Sequence, residues 1–232
     1  HDDFGGHAKR NEFNVDGKKL ICYGGSQSIA EPGSWSVVGK KLLKDVGIHT
    51  QHFYDYFDRN YYKDRKLGRG LYFSHDQYDK DHVSDNILGV EIGDNEQEII
   101  DIINEYPIAK ASKVALFRLL SDKKNYLKGM GSREDRINLL RRTSYSDFLR
   151  KYVHIQEEVV RLYRDMSRGL WGIGWDALSA LDAYRSQMPG TRHLNLGLAD
   201  ESYERDEPYI FHFPDGNAGV ARSIVRDLIP SA

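Results

Sequence analysis

His1-Asp2-Asp3-Phe4-Gly5-Gly6-His7-Ala8-Lys9-Arg10-Asn11, followed by a short hairpin and then Tyr23-Gly24-Gly25-Ser26-Gln27, is the stretch around which the chain is organised. Adjacent glycines are used where a backbone turns tightly or lets another group come close. Between the two pairs, residues 7–15 and 18–23 carry the residue types of strands, and Asp16-Gly17 favours a two-residue hairpin turn. Glycine pairs flanking a hairpin suit a phosphate or a flat cofactor; counted as glycines alone, they are also what plain turns use.

Working outward, Pro32-Gly33-Ser34 opens a helix with Trp35, Val38, Leu42, Leu43 and Val46 on one face, and Gly47 closes it. Residues 51–62 mix aromatic and polar positions and fit a short helix or a strand equally well. Gly68-Arg69-Gly70 leads into a strand at Leu71-Tyr72-Phe73, residues 79–85 read as a polar turn, and residues 87–92 as another strand. The middle is helical. Residues 96–104 and 108–120 are separated by Pro107, and Ser132 and Ser144 each start a helix with an acid in its first turn. Residues 155–167 form a further helix that stops at Gly169, and residues 177–188 another, ended by Pro189-Gly190. Residues 191–206 read as surface loop or interrupted strand. Tyr209-Ile210-Phe211-His212-Phe213 reads as a strand, and residues 218–228 as a helix with Val220, Ile224, Val225 and Leu228 inward.

The chain has 232 residues, enough for one large or two small domains with a sizeable core. A net charge of -2 argues against nucleic acid as a partner, and no apolar run is long enough to span a membrane. The single cysteine, Cys22, excludes an internal disulfide framework and a cysteine-based zinc site, and its strand-like surroundings predict a buried structural thiol.

Read in order, the opening stretch resembles the flavin-containing amine oxidase family, and within it the bacterial spermidine dehydrogenases. The resemblance runs through Tyr23-Gly24-Gly25-Ser26-Gln27-Ser28-Ile29 and returns at Asp206-Glu207-Pro208-Tyr209-Ile210-Phe211-His212-Phe213-Pro214-Asp215-Gly216-Asn217-Ala218, with the middle much looser. It implies an α/β fold (α+β overall): a partial Rossmann-like FAD-binding domain of amine oxidase type with an inserted, largely helical substrate domain. The expected division is residues 1–70 and 207–232 for the FAD domain and 71–206 for the substrate domain. The family's Gly-x-Gly-x-x-Gly turn and ribose-binding acid precede the Gly-Gly-His loop, and that turn occurs nowhere here. The chain is therefore expected to be an internal piece of a longer protein that does not retain flavin or activity alone, and Asp2 and Asp3 are not taken for the ribose-binding acid.

The resemblance further implies roles for particular residues. The amides of Gly5 and Gly6, with His7, Lys9 and Arg10 beside them, would face the pyrophosphate and ribitol of FAD. Gly24, Gly25, Ser26 and Gln27 would lie along the flavin ring. From the residues alone, a tight turn with surface charges and a plain strand end are the alternatives. Pro214-Asp215-Gly216-Asn217 reads as a helix cap rather than a second anion site. Polyamine recognition needs carboxylates and aromatic faces, which makes Trp171, Trp175, Asp176 and Tyr184 substrate candidates, although Asp176 also suits a cap. None of the nine histidines stands in a His-x-x-x-His pair, so no metal site is expected. Family members carry haem, which makes it a possible second cofactor with no histidine assigned.

The activity so implied is hydride transfer from the α-carbon of a small-molecule amine to flavin, hydrolysis of the imine, and electron delivery to a separate acceptor other than dioxygen. A carotenoid-desaturase-like flavin oxidoreductase with a more apolar channel is the alternative enzyme, and a non-catalytic flavin-fold module the third reading. The family often carries twin-arginine export signals, which favours the periplasm.

Overall fold

The structure is a computed structural model that describes residues 4–197 and 207–231. The chain divides into two compact units, His1–Tyr61 with Ser202–Ala232, and Tyr62–Glu201. The secondary structure is mixed α and β. Both sheets are two-stranded and antiparallel, and no parallel strand pair occurs among the described residues.

The first unit begins with the hairpin β1 (Arg10–Val15) and β2 (Lys18–Tyr23), in register from Arg10 opposite Tyr23 to Val15 opposite Lys18. Asp16 and Gly17 both have positive φ (52° and 77°), the mirror-image turn that matches strand twist. No second layer covers the hairpin: Phe13, Val15, Leu20 and Tyr23 are exposed. For the same reason Cys22 is half-exposed rather than buried.

Past the second glycine pair, Pro32–Ser34 forms one 3-10 turn. The helix proper, α1 (Val37–Asp45), starts later than Pro32 because the Ser36 hydroxyl accepts from the Gly39 amide and caps it there. At its end, Gly47 NH donates to Lys44 O and Ile48 NH to Leu43 O, a Schellman pair that needs the positive φ of Gly47. The expected apolar face is only partly buried. Leu43 is in the core with Trp35 and Val46 against it, whereas Val38 and Leu42 face solvent. The ambiguous aromatic stretch is helical, as α2 (His52–Tyr56) and α3 (Tyr61–Asp64).

The second unit opens with β3 (Gly70–Phe73), α4 (His75–Tyr78) and β4 (His82–Asp85), β3 pairing with β4. Residues 82–85 are thus a strand, not a polar turn. Their alternation is inverted, with Ser84 buried and donating to Glu105 while Val83 is exposed. Residues 87–92 are not a strand; Ile87 and Leu88 are buried within a turn closed by Val90 NH to Ile87 O.

The helices α5 (Glu96–Glu105), α6 (Lys110–Ser121), α7 (Arg133–Arg142), α8 (Tyr145–Phe148), α9 (Glu157–Arg164), α10 (Arg168–Trp171) and α11 (Ala180–Arg185) follow, with a π-helical turn at Leu149–Val153. Ser132 and Asp135 form a reciprocal capping box on α7. Ser144 and Ser179 cap α8 and α11 in the same way, each accepting from the amide three residues on, and the two starts are stitched together by Tyr145 NH to Leu178 O and Ala180 NH to Thr143 O. Gly169 lies inside α10 rather than ending a helix, and α11 starts at Ala180 rather than residue 177 because Ser179 caps it there.

The core of this unit runs through Leu88, Leu116, Leu127, Leu140, Phe148 and Tyr163, each nearly or fully excluded from solvent, a burial that contributes about 1.5–3 kcal/mol per large apolar side chain. Residues 191–197 belong to that core instead of the surface. Thr191, Leu194 and Leu196 are buried, because Asn125 Nδ2 holds Leu194 O, Arg133 Nε holds Leu196 O, and Arg192 reaches Gln187 O and Gly89 O. The rest of the predicted loop, 198–206, lies outside the described residues, as do His1, Asp2 and Asp3.

Back in the first unit, residues 209–213 form no strand. Ile29 NH donates to Phe211 O, while Ile210 and His212 turn their amides to carbonyls two residues back. Ile210 and Phe211 are buried with Ile29, Leu43 and Ile48. The chain ends in α12 (Ala218–Leu228), where Val220 packs on that cluster but Leu228 is exposed, one turn past the buried part.

Candidate functional site

The hairpin brings the two glycine pairs together. Below Arg10 and Tyr23 the ladder continues as Gly24 NH to Lys9 O (2.7 Å) and Gly25 NH to His7 O (2.9 Å). A side chain at Gly24 would put Cβ 2.9 Å from Lys9 Cβ, and one at Gly25 would put it 3.3 Å from His7 Cβ. Gly24 is thus required by close approach within the chain, and Gly25 is crowded by it. Their amides are spent on the His7 and Lys9 carbonyls and do not point at a ligand.

Gly5 and Gly6 differ. Both have positive φ (93° and 59°), and the turn is closed by Ala8 NH to Gly5 O, which leaves the Gly5 and Gly6 amides without a backbone partner among the described residues. A Cβ on Gly5 would lie 3.4 Å from Ala221 Cβ. The opening turn therefore sits against α12, more than two hundred positions along the chain.

The contact between the ends is built by Asn217. Its backbone NH donates to Ser26 O, and its Nδ2 to Ser26 Oγ (2.8 Å) and Ser28 O (3.0 Å). Gly216 makes the approach possible, since a Cβ there would meet Ser26 O at 2.5 Å and Tyr23 Cβ at 2.6 Å. Asn217 is thus more than a cap, and its side chain ties the second glycine segment to α12. Asp215, next to it, is buried between Arg10 and Arg222 at 3.8 Å each, and Arg10 also meets Glu12 at 2.7 Å. The Arg10 charge is therefore compensated by two carboxylates instead of being held ready for a phosphate.

Where these segments meet there is a hollow of about 270 Å3, bounded by Gly5, Ala8, Ser28, Trp35, Asn217 and Ala221 among others. Two buried polar atoms on its lining residues, Ser28 Oγ and Asn217 Oδ1, have no hydrogen-bond partner among the described residues, an arrangement that costs free energy unless something supplies one. A glycine cradle, two open amides and two unpartnered oxygens fit part of a nucleotide cofactor. The hollow lies just below the usual size of a small-ligand site, about 300–1,000 Å3, so it fits a portion and not the whole of FAD. Gln27 does not border this hollow. Sequence reasoning missed Ser28 and gave Asn217 only a cap; the signal was the Asp-Gly-Asn turn, whose glycine is demanded by Ser26 and Tyr23.

The substrate candidates do not converge on a pocket. Trp175 is a core residue and Trp171 is exposed, their rings 5.6 Å apart; Asp176 is exposed and turned back over Gly174, and Tyr184 is half-buried on α11. Among the described residues no group of three or more His, Cys, Asp or Glu side chains is placed to hold a metal ion, and no helix is long and apolar enough to cross a membrane.

No protein-family model matches this chain, and the comparison with curated proteins returns no match.

Proposed function

We propose that the chain forms part of an FAD-dependent amine oxidoreductase acting on polyamines of the spermidine type, with a Rossmann-like cofactor domain of amine oxidase type. What supports the reading, beyond the likeness of the Gly-Gly-His and Gly-Gly-Ser segments, is one observation. Gly5, Ser28 and Asn217, drawn from segments more than two hundred positions apart, border one hollow, and Ser28 Oγ and Asn217 Oδ1 are buried without a hydrogen-bond partner among the described residues. FAD, when bound, would supply the hydride acceptor. In this reading the open amides of Gly5 and Gly6 and the oxygens of Ser28 and Asn217 bind and orient one part of the nucleotide. Gly24 and Gly25 hold the hairpin base at the spacing that keeps Gly5 in place. Haem belongs to the same family reading and is assigned no residue.

The test is anaerobic addition of spermidine, putrescine and a monoamine to the protein that carries these residues, followed by its visible flavin band. Spermidine is expected to bleach the band. A band left intact by every amine refutes the reading.

A further inference from the structure

A different hollow of the same unit is bordered by none of the residues assigned above to cofactor or substrate. It has a volume of about 610 Å3, well inside the range of small-ligand pockets. Phe53, Tyr56 and Phe213 form its apolar wall, and His49, His52 and His212 its polar edge. The Schellman turn at Gly47 creates the shape: it returns Ile48 to the core and starts α2 beside the end of α1, so that His49 and His52 come together with ring centroids 5.3 Å apart. Phe53 is held by edge contacts to Phe211 (5.7 Å) and Phe213 (5.3 Å), which gives the wall a rigid ring.

An adjoining hollow of about 330 Å3 shares Ile48, His49 and His52 and extends to Lys40 and Lys44. Lys41, one position along α1, is paired with Asp45, whereas Lys40 and Lys44 have no ion-pair partner among the described residues. The joined site thus has aromatic faces at one end, imidazoles in the middle and two uncompensated ammonium groups at the other. Rings recognise a flat apolar body through stacked or edge contacts, and ammonium and imidazole N–H groups recognise an anion through charge and hydrogen bonds. The histidines are not placed as metal ligands.

We propose that this joined hollow is a binding site for a planar aromatic carboxylate, its rings against Phe53, Tyr56 and Phe213 and its carboxylate toward Lys40 and Lys44. The proposal does not rest on the flavin reading and involves none of its residues.

The test is calorimetric titration of the 232-residue chain with 2-naphthoate and with the uncharged 2-naphthamide. Naphthoate is expected to bind one site and the amide at least tenfold more weakly. Lys40 and Lys44 are exposed and Tyr56 is 89% exposed, so K40Q/K44Q and Tyr56→Ser are expected to keep the wild-type circular dichroism while each weakens naphthoate about tenfold. Absence of saturable naphthoate binding overturns the proposal. So does equal affinity for the amide, or naphthoate affinity unchanged in either variant.

Discussion

Gly216→Ala isolates the contact on which the first unit depends. Gly216 has φ 62°, and its missing Cβ would stand 2.5 Å from Ser26 O, 2.6 Å from Tyr23 Cβ and 3.2 Å from Gln27 Cα. An alanine there takes on two costs. The left-handed conformation costs about 1–2 kcal/mol for a residue with a Cβ. Two of the three opposing atoms are backbone and none is the end of a flexible side chain, so relief requires the segments to part, and overpacking of that kind costs about 1–3 kcal/mol. The sum is about 2–5 kcal/mol, centred near 3.5 and so more than about a hundredfold in a local opening equilibrium.

Gly47→Ala is the control. Its φ is 77°, yet nothing lies within 4 Å of a Cβ there, so it bears the conformational cost alone, about 1–2 kcal/mol. Hydrogen exchange measured by mass spectrometry reads both. In Gly216→Ala, peptides from 23–29 and 213–221 should exchange more than about a hundred times faster than wild type, including the Asn217 amide that donates to Ser26 O. In Gly47→Ala the acceleration should be smaller and centred on the end of α1. If Gly216→Ala protects those peptides as well as Gly47→Ala does, the close approach of the two segments is wrong.

Tyr163 is fully buried with a hydroxyl that has no partner among the described residues, whereas Tyr145, equally buried, donates to Pro189 O at 2.8 Å; thermal denaturation should find Tyr163→Phe neutral or stabilising and Tyr145→Phe destabilising by about 1–2 kcal/mol. Ser132→Ala should cost about 1 kcal/mol by removing the α7 capping box. The Ser132 hydroxyl and amide hold the Asp135 carboxyl below its ordinary value, so the carboxylate's share of the cap is present above the usual aspartate range and lost as pH falls through the lowered value, while the Asp135 amide still donates to Ser132 Oγ; the gap in denaturation between wild type and variant should narrow in acid. Burial pushes the Tyr106 phenol up to about 12, so its contribution is full below the ordinary tyrosine value near 10 and fades as pH rises toward 12; the thermal midpoint should fall across that window, less steeply in Tyr106→Phe.

What the sequence made legible is what is decided locally. Asp16-Gly17 sets positive φ at two consecutive positions and needs no distant partner to make a hairpin, and Ser132 and Ser144 cap their helices with hydroxyls three residues from the amides they satisfy. The failures share the opposite property. Residues 209–213 have strand residues but, among the described residues, one backbone bond across to another segment, accepted from Ile29, and strand propensity says nothing about whether a neighbour exists to pair with. Residues 82–85 were masked by polarity, because the inward position belongs to Ser84 and its partner Glu105 is twenty-one residues away. Residues 191–197 look like surface until Asn125, Arg133 and Arg192 supply hydrogen bonds that let polar backbone be buried.

The same distinction divides the candidate site. A glycine can be required because a ligand comes close or because the chain itself does, and the two are indistinguishable in sequence. At Gly24, Gly25 and Gly216 the near atoms are those of His7, Lys9, Ser26 and Tyr23, so these positions would favour glycine with or without a cofactor. Of the candidate-site glycines, Gly5 and Gly6 combine positive φ with amides that the described chain leaves without a backbone partner. The weight of the ligand reading therefore moves away from the second pair and onto the first, together with Ser28 and Asn217. A Ser28→Ala change, which removes one unpartnered oxygen and leaves the Asn217 Nδ2 bonds to Ser26 and Ser28 in place, separates the two kinds of requirement. If the unpartnered oxygens are there for a ligand, cofactor affinity should fall while exchange protection across 7–25 is kept. If affinity instead follows Gly24→Ala, which breaks the hairpin base, and ignores Ser28→Ala, the hollow is a packing defect and the cofactor lies elsewhere.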